Sequence, residues 1–125
     1  MKAKNLHEIK VFNKAQQGAA AISALLDRPG FGRNFDLKDQ LSRSSSRVGP
    51  LIAEGYGLGT DKHLADYLAR ARGSVQETIT HLEQAHLKQL ISESECSDEV
   101  ERYDHIGRML SRWITYLRGT DWKDR

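Results

Sequence analysis

The sequence predicts an all-α protein folded as an antiparallel, up-down-up-down four-helix bundle, and three observations carry that expectation. Apolar or small residues recur at three- and four-residue spacing through four long stretches, the period of a helix that buries one stripe. Leu and Ala dominate the apolar set, Val is scarce, and only 2 prolines interrupt 125 residues, a composition of helix formers rather than strand formers. The breaks between stretches are short, and short connections force neighbouring helices to run antiparallel. Two cores would leave each half of so short a chain too small to be stable, so it reads as one domain spanning 1–125.

The first helix is expected over about 6–26, with Val11, Ala15, Gly18 or Ala19, Ile22 and Leu25 inward. Asp27-Arg28-Pro29-Gly30 ends it, because neither proline nor glycine sustains the ladder. The loop Phe31 to Phe35 carries two aromatics expected to plug the bundle end, and Asp36 is placed to cap the next helix. That second helix, about 37–55, buries Leu37, Leu41, Ser44, Val48 and Ile52 and should bend at Pro50. The glycines of Gly55-Tyr56-Gly57-Leu58-Gly59 are expected to supply positive φ for the helix end and hairpin. Thr60 then caps a third helix over about 61–90, some 45 Å long at 1.5 Å per residue, with Leu64, Leu68, Ala71, Val75, Ile79 and Leu82 inward. Ser92-Glu93-Ser94-Glu95 has capping-box spacing and opens a fourth helix over about 93–118. Its seam is Cys96, Val100, Tyr103, Gly107, Leu110, Ile114 and Leu117; Gly119 is expected to end it, leaving 119–125 as a frayed tail.

Lys and Arg total 19 against 17 Asp and Glu, a balance too mild to imply nucleic acid by itself. The distribution is more informative, with nine basic against four acidic residues in 1–47 and one against six in 93–104. The acidic stretch suits the first turns of the fourth helix, where carboxylates complement the helix dipole. No run is long enough to span a bilayer and the start lacks the apolar core of a secretory signal, so a soluble, cytoplasmic protein without membrane contact is expected. The lone Cys96 agrees with a reducing compartment and reads as a small core residue.

No constellation for catalysis or metal binding is present. Glu83-x-x-His86 occurs once, whereas a di-iron bundle needs two such pairs and two further carboxylates; Glu77/His81 and Glu101/His105 complete nothing regular. Ser44-Ser45-Ser46 lacks a partnered His and Asp, and the glycine loop has neither the preceding strand nor the spacing of a dinucleotide fingerprint. The expectation is therefore no enzyme, no catalytic residue, no metal and no cofactor. Basic residues pair at i,i+4 three times, as Lys10/Lys14, Arg43/Arg47 and Arg108/Arg112, and these six are the candidate nucleic-acid-binding residues. Chance supplies about three such pairs at this basic content, so their placement matters rather than their number. Gly73, Ser74 and Glu77 form a second, small-residue stripe on the third helix and are the candidate contact between subunits.

Gln40-Leu41, Arg43-Ser44, Val48-Gly49, Ile52-Ala53-Glu54-Gly55-Tyr56-Gly57 and, later, Ala71-Arg72-Gly73-Ser74 with Glu77 resemble the family of proteins encoded in intervening sequences of bacterial 23S ribosomal RNA genes. Val11-Phe12-Asn13-Lys14-Ala15 and Leu90-Ile91-Ser92 extend the likeness to about residues 9–118. The resemblance implies a homopentameric ring of four-helix bundles without established enzymatic activity. A related branch serves as the accessory protein of diversity-generating retroelements, which implies RNA or DNA, or a protein such as a reverse transcriptase, as partner. Leu51 and Arg47 depart from the pattern, standing where Asn and Ser are usual. The function expected is a non-enzymatic oligomer that binds nucleic acid or a ribonucleoprotein; the alternative is a structural or adaptor oligomer with a protein partner.

Overall fold

The computed structural model describes residue 6 and residues 9–121. They form five helices, α1 (Lys10–Leu26), α2 (Pro29–Gly32), α3 (Phe35–Gly57), α4 (Asp61–Leu87) and α5 (Glu93–Asp121). The four long ones make the bundle. α3 and α5 each lie against both α1 and α4, so they occupy opposite corners. The contacts run in opposite chain directions. Gly55 at the end of α3 meets Leu64 and Tyr67 at the start of α4, Ser44 meets Thr78 midway, and Gln40 and Gln84 flank one groove at the other end. Likewise Cys96 meets Leu82 while Arg118 meets Asp66. Arg28 at the end of α1 joins Glu95 at the start of α5.

The core is one cluster fed by every helix, with Ile22, Phe31, Leu41, Ile52, Leu68, Leu82, Tyr103, Ile106 and Leu110 wholly removed from solvent. Each such side chain contributes about 1.5–3 kcal/mol of transfer free energy. Small hydroxyl residues share the α3/α4 seam. Thr78 Oγ1 lies 2.8 Å from the Ser74 carbonyl and 2.9 Å from Ser44 Oγ, so these buried polar groups are satisfied within the bundle.

Several local expectations need correction. Pro29 and Gly30 do not open a loop but start the short α2, with proline in its favoured first turn, and Phe31 alone plugs the bundle end. Phe35 becomes the first residue of α3 and is 70% exposed. Asn34 takes the cap position that Asp36 was expected to hold, and Asp36 sits in the first turn. α3 continues through Gly55 and Gly57, and of the three glycines here Gly59 alone has positive φ, at 84°. Gly55 serves close approach instead: a Cβ there would lie 2.6 Å from the Tyr67 Cβ.

α4 stops at Leu87, three residues early, because Gln89 adopts φ 61°. Leu90 N–H donates to the Ala85 carbonyl and Gln89 N–H to that of His86, each at 2.9 Å, which is a Schellman ending built on glutamine rather than glycine. α4 thus ends where its carbonyls find partners. α5 runs through Gly119 to Asp121, and the rest of the expected tail, 122–125, lies outside the described residues. α1 begins at Lys10, with Ile9 as its N-cap. Thr60 accepts from the His63 N–H at 3.2 Å, as its position predicts.

The capping box at α5 has an added partner. Ser92 N–H donates to Glu95 at 2.8 Å, Glu95 N–H returns to Ser92 Oγ at 3.1 Å, and both terminal nitrogens of Arg28 donate to the Glu95 carboxylate, closing α1 onto α5. Arg28, helped by the Ser92 amide, holds the Glu95 carboxyl down to about 2 from its ordinary 4.5. A depressed carboxylate pKa stabilises the fold above the unfolded value, and that contribution disappears as pH falls from 4.5 towards 2. Glu95→Gln should therefore lower the urea midpoint at neutral pH and converge on the wild-type midpoint in that acid window. Parallel curves at all pH values contradict the pairing.

Candidate nucleic-acid interface

Two of the three basic pairs are built the same way. On α3, Asp39, Arg43 and Arg47 stand four residues apart, and on α5 so do Asp104, Arg108 and Arg112. Four residues return a helix nearly to the same side, so each set forms a vertical row. In both, the aspartate takes the nearer arginine: Arg43 Nε is 3.1 Å from Asp39, and Arg108 Nη1 is 2.8 Å from Asp104. An acid N-terminal to its base is the favourable order, worth about 0.3–0.5 kcal/mol at an exposed site. Arg47 and Arg112 are left exposed with no carboxylate in ion-pair range among the described residues.

The six candidate cations do not share one patch. α3 and α5 sit at opposite corners, so the Arg43/Arg47 and Arg108/Arg112 rows lie on different helices that do not adjoin. Lys10 is exposed in the first turn of α1. Lys14 is half-buried and lines a groove with Asp98, Glu101, Arg102 and His105, where carboxylates offset its charge.

The groove between α4 and α5 holds a cation that pair-counting misses. Arg72 reaches across to Ser111 Oγ at 3.3 Å and lines that groove with Arg108, Gly73, Gln76 and Gly107. Gly107 lies beside Val75, which an added Cβ would meet at 3.4 Å, about van der Waals contact. The signal for this site was Arg72 with Arg108 and Ser111 on facing helices, which needs the register of α4 against α5 and cannot be counted along the chain. Arg72 does not pair with Glu54. Glu54 instead accepts from the Tyr67 hydroxyl at 3.1 Å, and Arg70 lies over the Tyr67 ring at 4.7 Å, a chain of contacts along the α3/α4 hairpin.

Gly73 and Glu77 are exposed one turn apart on α4, but Ser74 is buried at 2% and faces the α3 seam. One residue turns a helix by about 100°, which carries Ser74 off the outer stripe it was expected to share. Exposed apolar side chains lie elsewhere. Phe35 and Leu87 flank a shallow groove with Arg33 and Lys88 at one end of the α3/α4 face, and Leu58 and Tyr116 are exposed towards the other end of the bundle.

Among the described residues no three His, Cys, Asp or Glu side chains gather as a metal site, and no helix is long and apolar enough to cross a membrane. The Cys96 thiol is buried against the Leu82 carbonyl at 3.6 Å, and burial, with Glu83 nearby, pushes its pKa up, the opposite of an activated nucleophile.

A family model described as 23S rRNA-intervening sequence protein matches residues 7–112 of the 125. No curated protein and no solved structure matches the chain.

Proposed function

Because the chain belongs to the 23S rRNA-intervening sequence protein family, we propose that it is a cytoplasmic, non-enzymatic module whose copies assemble into a ring, the pentamer that family resemblance implies, and bind RNA or an RNA-protein particle on the assembled surface. The observation that carries the binding clause is the pair of exposed arginines, Arg47 and Arg112, left over once Asp39 and Asp104 have taken their neighbours. One such cation per row is weak alone. Repeated around a ring, each row returns once per subunit, and the contacts gain by multivalency. Arg72 in the α4/α5 groove adds a third guanidinium within reach of a phosphodiester backbone.

Assembly is supported by Phe35 and Leu87, 70% and 81% exposed across one groove, since large apolar groups held together in water favour a protein contact. The same pair favours the second reading, an adaptor whose apolar groove takes a partner protein such as a reverse transcriptase. Titration of a structured RNA across a salt series separates the readings: affinity that falls steeply with salt, and falls again in Arg47→Ala/Arg112→Ala, supports RNA, whereas no binding at low salt leaves the adaptor.

A further inference from the structure

At the end of the bundle where α3 turns into α4, a pocket of about 580 Å³ is lined by Tyr56, Trp113 and Tyr116 together with Ile9, Leu64 and Asp61. The volume is that of a small-ligand site rather than a packing defect. Tyr116 lines the pocket and is 63% exposed, and Trp113 and Tyr56 are half-buried. A lining of one exposed ring, Tyr116, beside two half-buried ones, one carboxylate and apolar residues is a poor site for phosphate. It suits a flat, aromatic, partly polar group.

We propose that this pocket takes one unpaired base of single-stranded RNA, stacked on Tyr116 and Trp113, an assignment that rests on the RNA-binding reading and adds a base-recognition site to it. Every base has a π-face, so stacking on tyrosine and tryptophan holds the base whatever its identity, at roughly tenfold in affinity per stacked base. Asp61 supplies selection. Its carboxylate only accepts hydrogen bonds, so it suits bases with an exocyclic amine over uracil, whose single N3–H donor lies between two carbonyls that repel a carboxylate.

The test uses the full chain carrying Trp122→Phe, which leaves Trp113 as the one tryptophan, titrated with twelve-nucleotide oligocytidylate and oligouridylate. The expected result is quenching of Trp113 fluorescence, tighter binding of the cytidylate, and loss of that preference in Asp61→Asn. Tyr116→Ala, an exposed change, is expected to weaken binding roughly tenfold while leaving the salt slope unchanged, because stacking releases no counterions. Unaltered affinity in Tyr116→Ala with no quenching overturns the pocket while RNA binding at the arginines survives. A Tyr116→Ala protein of reduced native mass overturns it differently, marking the aromatic patch as a contact between copies. Absence of RNA binding at low salt removes the RNA reading itself and the pocket with it.

Discussion

Replacing Tyr103 by alanine is expected to cost the bundle about 3–5 kcal/mol, the range for emptying a large aromatic from a core, while Tyr103→Phe is expected to be neutral or to stabilise by up to about 1 kcal/mol. Tyr103 is the largest fully buried side chain, and it packs against Gly18 of α1. Its hydroxyl has no hydrogen-bond partner among the described residues, and burial, with Glu99 nearby, pushes the phenol pKa well up. The ring therefore stabilises and the hydroxyl does not. Gly18→Ala reports on the same contact, since a Cβ there lies 2.9 Å from the Tyr103 hydroxyl and 3.0 Å from the ring carbon that bears it. In the Tyr103→Phe background the closest of these clashes disappears, so the alanine should cost less, by about 0.5–1 kcal/mol of coupling. Urea unfolding of the four variants measures it; additive costs contradict the packing described.

Gly55→Ala is expected to destabilise by about 1–3 kcal/mol even though alanine is the better helix former by about 1 kcal/mol. Gly55 is helical and its missing side chain lets α3 approach α4: an added Cβ would meet the Tyr67 Cβ at 2.6 Å and Leu64 at 3.4 Å. A Cβ is fixed to its backbone and cannot swing away, so the two helices must part. Gly57 is the internal control. It is also helical, with nothing within 4 Å of an added Cβ, so Gly57→Ala should stabilise by up to about 1 kcal/mol. If both alanines stabilise, Gly55 is not a contact point. Thermal unfolding of the two single variants decides it.

That contrast also shows what could be read from the chain. The inward positions of α1, α3, α4 and α5 are legible because one stripe of a helix must be apolar, and Val48, Ile52, Leu68, Leu82, Leu110 and Ile114 are buried where periodicity places them. A glycine has no such signature. Gly55, Gly57 and Gly59 look alike in sequence, yet one serves close approach, one is merely tolerated, and one alone needs φ above zero. Gln89 ends α4 in the left-handed region although nothing in its chemistry announces it, because the Ala85 and His86 carbonyls it leaves behind are satisfied there. For the site, the acid-base-base rows at Asp39 and Asp104 were in plain view as i,i+4 spacing. What stayed hidden was lateral: that α3 and α5 occupy opposite corners, that Ser74 turns inward, and that Tyr116 and Trp113 from α5 line one pocket with Tyr56 from α3.

The slope of log affinity against log salt for a structured RNA, compared between the wild-type assembly and Arg47→Ala/Arg112→Ala, decides whether the two arginine rows hold RNA. Each phosphate contact contributes about 0.7–0.9 to that slope, so removal of two contacting arginines per subunit should flatten it by about 1.4–1.8 for every subunit that touches the RNA, while the native mass stays the same. A slope that does not change, or a wild-type protein that binds no RNA at low salt, contradicts the account.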